Sequence, residues 1–259
     1  MFADIAESGV FPCLTLTTNY RQRGSSSIIA ASQQIKKGEN VLAQDDYFRM
    51  KRVDGDRAIN AYLADIIPRR FNREHPFGLQ VIVPLNRYRS GVNGINRVLQ
   101  NVLNAGGKEI KSGMMSFREG DKVFFSNTRY SRHHEPIYVN GQTGIITDVS
   151  QNPMKITVRT QNGQVSLGYS EIINGNLSLA YAMTIHKSQG SQFDEVFVVL
   201  PEASKNFVTR NMLYTAVTRA VKSLTVVYSG KGPSKVIANN STRLTFLRDK
   251  LINLWAKLK

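Results

Sequence analysis

The 259-residue sequence holds 34 Lys and Arg against 19 Asp and Glu, a formal charge of +15, with 41% hydrophobic residues. A chain of this length and apolar content buries a core of its own, which excludes intrinsic disorder. The single cysteine, Cys13, excludes a disulfide framework and a multi-cysteine zinc site, and it suits a reducing compartment. No apolar run approaches the roughly 20 residues of a membrane helix. The first residues, with Asp4 and Glu7, lack the basic and apolar regions of a signal peptide. The expectation is a soluble, cytoplasmic protein with no membrane partner, whose cationic excess points first to nucleic acid.

In chain order, a short helical stretch leads into a predicted strand over residues 13–17 and then into Asn19, Tyr20, Arg21 and Gln22. Serines after Gly24 suit a helix N-cap, and Ile28, Ile29, Ala31 and Ile35 recur at helical spacing up to Gly38, a fitting stop. Residues 58–67 predict a helix with Ile59, Leu63 and Ile66 on one face, ended by Pro68. Residues 79–84 read as a buried strand, and Val92, Ile95, Leu99 and Val102 return to helical spacing.

From Phe117 the pattern changes to short β-rich runs at 123–125, 144–149, 154–160 and 165–169. Asn162-Gly163 is the strongest hairpin signal, because a type I′ turn needs φ > 0 at both positions. Asn140-Gly141 marks a second turn. This region predicts a small antiparallel barrel or sandwich inserted into an α/β domain.

The α/β pattern resumes at Leu177. Residues 177–183 predict one strand, followed by a polar turn and a short helix, then a buried strand over 196–200. Residues 209–219 predict a helix with Met212, Leu213, Ala216, Val217 and Ala220 apolar, and 224–228 a further strand. Leu244, Leu247, Leu251, Leu254 and Leu258 predict a last helix docked on the core. Strand and helix in alternation predict a parallel, doubly wound sheet.

Three stretches can carry chemistry. The first runs Ala180 to Asp194 and presents Thr184, His186, Lys187, Ser188, Gln189 and Gly190 after a strand. In an open α/β sheet ligands bind at the carboxyl ends of strands, and hydroxyls, an imidazole and an ammonium there can hold phosphate oxygens. The same residues equally suit a solvated loop with a helix cap. The second stretch ends in Arg219, near the end of an amphipathic helix. That residue suits either a cation on the helix dipole or an arginine finger on a γ-phosphate. The third holds Arg21, which alone suits solvent or an anion.

In this order, Thr-Thr-Asn19-Tyr-Arg21-Gln, Thr184-Ile-His-Lys-Ser-Gln-Gly-Ser-Gln-Phe193 and Tyr214-Thr-Ala-Val-Thr-Arg219-Ala resemble motifs IV, V and VI of superfamily 1 helicases. The wording is most similar to the RecD-like branch, the α-subunit family of exodeoxyribonuclease V. Val83-Pro84-Leu85-Asn86, Gly91 to Asn96, Phe117 to Val123 and Asn140-Gly141 are also similar to that branch, so the resemblance covers essentially the whole chain.

The resemblance implies a second RecA-like motor domain, residues 1–115 and 177–259, interrupted by a Src-homology-type barrel at 116–176. It implies that Arg21 and Arg219 reach the γ-phosphate of ATP and that Gly190 and Gln192 line its side, many relatives having Glu at the latter position. It implies that Thr184 and His186 touch single-stranded DNA, with Lys187, Ser188, Pro84 and Asn86 as further contacts. The loop from Arg129 to His134 either adds DNA contacts or is a solvated tip.

No GxxxxGK[ST] loop occurs, because Gly230-Lys231-Gly232 lacks both the spacing and the hydroxyl residue. Asp194-Glu195 precedes its strand and so does not form a Walker B pair. The resemblance therefore implies that ATP and Mg²⁺ are held mainly by an upstream RecA-like domain of the same parent chain. The expected chain is a C-terminal half, inactive alone, of a helicase moving 5′→3′ and able to join other nuclease–helicase subunits. Two other readings stand beside it: a binding-only module with a degenerate helicase fold, and the helicase segment of a conjugative relaxase.

Overall fold

The computed structural model describes residues 2–14, 26–41, 44–113, 115–204, 206–240 and 246–258. Arg21 and its neighbours Asn19, Tyr20 and Gln22 lie outside the described residues, as do Gly24, Leu244 and residues 15–17 of the first expected strand. Cys13 and Leu14 carry no strand.

The first part of the chain forms α1 (Phe2–Glu7), α2 (Ser26–Lys37), β1 (Phe48–Arg52), α3 (Gly55–Arg70), β2 (Leu79–Val83) and α4 (Val92–Leu103). A β-rich middle follows: β3 (Glu109–Ser112), β4 (Met115–Arg118), β5 (Lys122–Phe125), β6 (Arg129–Tyr130), β7 (Pro136–Tyr138), β8 (Thr143–Gln151), β9 (Met154–Thr160), β10 (Gly163–Gly168), α5 (Tyr169–Ile173) and β11 (Leu177–Leu179). The last part forms β12 (Ala182–Thr184), β13 (Phe193–Leu200), α6 (Arg210–Val217), β14 (Ala220–Tyr228), α7 (Gly232–Ala238) and α8 (Leu247–Leu258).

Five strands in the order β1-β14-β13-β2-β12 make one sheet, and every pair in it is parallel. Its alternating side chains divide between two cores. Val81, Val83, Phe197, Val199 and Val227 join Ile59 and Leu63 of α3 and Ile95 and Leu99 of α4. Ile82, Val196, Val198 and Val226 join Ile28 and Ile35 of α2, Leu213 and Val217 of α6, and Val236 of α7. Burial on both faces is what an all-parallel sheet requires, and it explains why all five residues of β2 are buried and all but Gln80 are apolar. The α/β expectation with a parallel sheet holds.

A second sheet, β10-β9-β8-β5-β11, is antiparallel, and its apolar side is continuous with the α4 core. Phe125 stacks on Tyr138 there with ring centroids 4.3 Å apart. β3 pairs with β4 and β6 with β7 as separate ribbons.

Several sequence expectations are corrected. Pro68 lies inside α3 rather than ending it. So close to the C-terminus its missing N–H removes a single bond, and Phe71 N still donates to the Ile67 carbonyl at 2.8 Å. The buried stripe of α3 is Ile59, Leu63 and Ile67, with Ile66 partly buried; on α4, Leu103 is inside and Val102 exposed.

The hairpin between β9 and β10 forms, but Thr160 pairs with Gly163, so Gln161 and Asn162 make the bend. Only Gly163 of the expected Asn-Gly pair has positive φ, at 119°. No helix follows β12, because residues 185–190 form successive turns. Asp194 and Glu195 lie within β13 at its amino end, paired with Lys222 and Arg70. The last helix exists, but it lies against α1 with Leu254 and Trp255 exposed instead of docking on the core.

Candidate nucleic-acid interface

The expected single strand at 177–183 is two strands in two sheets. β11 pairs antiparallel with β5, and β12 pairs parallel with β2. Between them Ala180 and Tyr181 belong to no strand, so their buried backbone groups need other partners. Gln80 Nε2 donates to the carbonyls of Ala180 (3.2 Å) and Tyr181 (3.1 Å). Asn96 Nδ2 donates to the carbonyls of Leu179 (3.2 Å) and Ala182 (3.0 Å), and its Oδ1 accepts from Ala182 N at 2.7 Å. Ala180 N donates to the Lys122 carbonyl at 2.8 Å. Amides of β2 and α4 thus clamp the crossing segment.

Beside this clamp lies a buried polar joint. Asp121 accepts from Gln100 Nε2 (2.6 Å), Asn104 Nδ2 (2.7 Å), Arg118 N (2.7 Å) and the Tyr181 hydroxyl (2.9 Å). Burial nonetheless pushes its carboxyl above the usual carboxylate range, against the pull of those four donors. Burial, and then the neighbouring Asp121, push the Tyr181 hydroxyl up. Lys122 is 1% exposed, and its Nζ donates to Leu79 O and Gln80 Oε1, each at 3.0 Å. Burial lowers its ammonium to about 7.

The clamp sets the start of the turn that carries the expected site. Thr184 ends β12 level with Val83 of β2, while Glu195 of β13 is level with Leu79. The chain between them therefore travels back along the strand direction by roughly 13 Å, four residues at about 3.3 Å each. Its first part is closed by Thr184, whose Oγ1 accepts from Lys187 N (3.2 Å) and whose carbonyl accepts from Ser188 N (3.0 Å). Ser188 is buried and donates its hydroxyl to the Ile185 carbonyl at 2.8 Å, so its side chain holds the turn. His186 is exposed. Gly190 has φ +87° with open space where a Cβ would stand, a conformation that selects glycine.

At the carboxyl edge of the sheet a cavity of roughly 510 Å³ lies between α4, β3, β4 and β5. It brings together three expected contacts, Asn86, Thr184 and Lys187, with Arg97, Lys111 and Arg118 as further cations on its wall and Glu109 there paired with Arg118 at 3.4 Å. Asn86 reaches it because the 84–94 loop folds tightly: Val92 N donates to Leu85 O at 2.9 Å, and a Cβ on Gly91 would run into the Arg87 carbonyl. Pro84 is buried at the base of that loop. Lys187 is exposed, yet partial desolvation holds its ammonium below the ordinary lysine range, and its Nζ lies 3.9 Å from the centre of the Phe124 ring.

Arg219 stands at the other end of the turn. Its Nε donates to Thr215 O and its Nη1 to Ser191 O, both at 3.1 Å, which ties the end of α6 to the entry of β13 beside Gln192. Gly190, Gln192 and Arg219 are absent from the wall of this cavity, although Gln192 lines a smaller adjoining space together with Lys187. Thr184 and Arg219 thus stand at opposite edges of one sheet. Arg129 of the β6–β7 ribbon is bound to Glu171 at 2.9 Å, while His133 and His134 are exposed at its tip.

Sequence reasoning missed Arg97, Lys111, Arg118 and Phe124. Helical period could have found Arg97, since Asn93, Arg97 and Asn101 run at intervals of four beside the apolar stripe of α4. Nothing in the local sequence places Phe124 or Lys111 on this wall.

Residues 179–227, from the end of β11 into β14, match the UvrD-like helicase C-terminal domain. The chain is 29% identical over 209 residues to the ATP-dependent RecD2 DNA helicase of Deinococcus radiodurans, covering 81% of this chain and 28% of that protein. It is 37% identical over 112 residues to the RecBCD enzyme subunit RecD of Mycobacterium tuberculosis, covering 43% of this chain and 19% of that one. It therefore spans less than a third of the curated relatives it matches.

Among solved structures, Pif1 helicase from Bacteroides in complex with ADP-AlF3 and ssDNA superposes with a TM-score of 0.53 at 17% identity, over 94% of this chain and 57% of that one. Pif1 helicase from Candida albicans gives 0.54 at 18%, over 95% and 60%. At these identities the two structures speak for the fold alone. No helix among the described residues is long and apolar enough to cross a membrane. Motif wording and relatives agree that the chain is similar to the RecD-like superfamily 1 DNA helicases, and its likeness is to their C-terminal half.

Proposed function

We propose that the chain is the second motor half of an ATP-dependent, cytoplasmic DNA helicase that moves 5′→3′ on single strands. The observation that carries this reading is the separation of Thr184 and Arg219 at the two ends of one turn. Asn86, Thr184 and Lys187 share a cationic groove at the carboxyl edge, and Arg219 is tied to Ser191 at the opposite edge. A turn that touches both edges can pass a change at the nucleotide to the DNA.

In this reading Arg219, with Arg21, meets the γ-phosphate of ATP, and Gly190 and Gln192 lie beside it. His186 adds a contact to the DNA backbone; Ser188 and Pro84 act by shaping the turn and the loop. Phosphate binding between two motor domains suits a guanidinium at the Ser191 edge, and ATP bound there would supply the charge that Arg219 stabilises. As the motif resemblance implies, ATP and Mg²⁺ are held mainly by an upstream domain of the parent chain. The unit boundaries proposed are 1–115 with 177–259 for the motor domain, and 116–176 for an insertion of Src-homology barrel type. Other nuclease–helicase subunits are further partners of the parent.

The 259-residue chain alone is expected to bind single-stranded DNA and to hydrolyse no ATP. DNA-stimulated hydrolysis by the purified chain overturns the half-motor reading. In the full-length parent, Arg219→Ala is expected to abolish turnover and leave DNA affinity nearly unchanged. Turnover that survives the change removes the finger assignment.

A further inference from the structure

The groove shares a wall with a second cavity. Phe124, Met183 and Lys187 line both the groove and a smaller space of roughly 270 Å³ behind it. That smaller space continues past Phe77 and Phe193 to Ser191 and Gln192, and no acidic residue lines it. Lys187 and Phe124 therefore form the partition, with the ammonium lying on the ring face.

The two halves of the partition differ in freedom. Phe124 is 4% exposed and sits in β5, whose next residue, Phe125, is stacked on Tyr138. Lys187 is anchored only at its backbone, through its N–H to Thr184 Oγ1, and its flexible stem carries the ammonium. Among the described residues no carboxylate pairs with that ammonium. Desolvation lowers its proton affinity, so an incoming anion gives it a better partner than the ring does.

We propose that Lys187 is a gate over Phe124: the phosphate of a single strand entering the groove draws the ammonium off the ring, and a nucleobase stacks in its place. The ligand is single-stranded nucleic acid, with one phosphate on Lys187 and one base on Phe124. Stacking on a lone ring accepts any base, which suits binding without sequence preference. The space of roughly 270 Å³ behind the partition gives the lysine and the base room to exchange places over the ring. This inference rests on the groove being the single-strand site, and it adds the base-stacking residue and the gate.

The test uses the 259-residue chain and oligothymidylates carrying one 2-aminopurine at successive positions, with affinity measured over a range of salt. The expected result is binding with fluorescence quenching at one position. Phe124→Leu is expected to lose about tenfold in affinity and the quench while keeping the salt slope. Lys187→Met is expected to lower the slope by about 0.7 and to keep the quench. Circular dichroism and thermal melting identify a Phe124→Leu chain that fails to fold, and the parent and Lys187→Met results then decide. Binding without quenching at any position overturns the gate and leaves the groove standing. No binding of single strands at low salt overturns both.

Discussion

The two faces of the parallel sheet are closed by different means. Under α2, α6 and α7 the core is apolar, with small hydroxyls such as Ser32 among it. Under α4 and the β-rich middle, Asn96, Gln100, Asp121 and Tyr181 are buried, and Gln80 and Lys122 are buried beside the crossing segment. The difference follows from topology. Where strands only return to their own sheet, ladders satisfy the backbone. Where the chain leaves one sheet for another at Ala180 and Tyr181, side chains must replace the ladder, and buried polar groups follow.

The polar face also builds the groove, so the two faces should respond differently to mutation. The largest effect is expected at Asp121→Ala, which strands four buried donors at once. A loss of about 3–5 kcal/mol in urea unfolding is expected, with weaker single-strand binding by the chains that remain folded. On the apolar face, Leu213→Ala is expected to lose about 2–5 kcal/mol through a cavity and to leave single-strand affinity unchanged. Equal effects of the two substitutions on affinity would break the comparison.

The most gradual effect is a pH slope. The Lys122 ammonium falls from an ordinary value of 10.5 to about 7 in the folded chain. Between those values the unfolded chain keeps a proton that the native chain has released. Stability is therefore expected to rise with pH across that window, by at most about 1.4 kcal/mol per pH unit. Urea midpoints at intervals from pH 6.5 to 9.5 measure it, and Lys122→Met should remove that contribution. A slope that persists in the variant belongs to another group.

Much of this fold was legible because its signals are local. The helical period placed Ile59, Leu63, Ile95 and Leu99 inward, and β2 declared itself by the apolar run Val81-Ile82-Val83. The split of 177–183 was not legible. Both halves are apolar with a short gap, and which sheet each joins depends on β5 and β2, far apart in sequence. The exposed α8 misled for the same reason, since an apolar stripe does not say what it packs against. At the site, Thr184, Lys187 and Asn86 were identified from motif wording, yet Phe124 was not, because a phenylalanine between Val123 and Phe125 reads as core.

By itself the sequence determined the parallel α/β alternation, the β-rich middle, the cationic excess and the residue types offered to phosphate. Each is a property of composition or short-range period. The tertiary structure alone decided that the turn after β12 runs between the two edges of the sheet. It also alone decided that Gln80 and Asn96 clamp the crossing chain and that Phe124 lies beneath Lys187. These arise when segments a hundred residues apart meet, and burial then requires that every backbone group find a partner where they do.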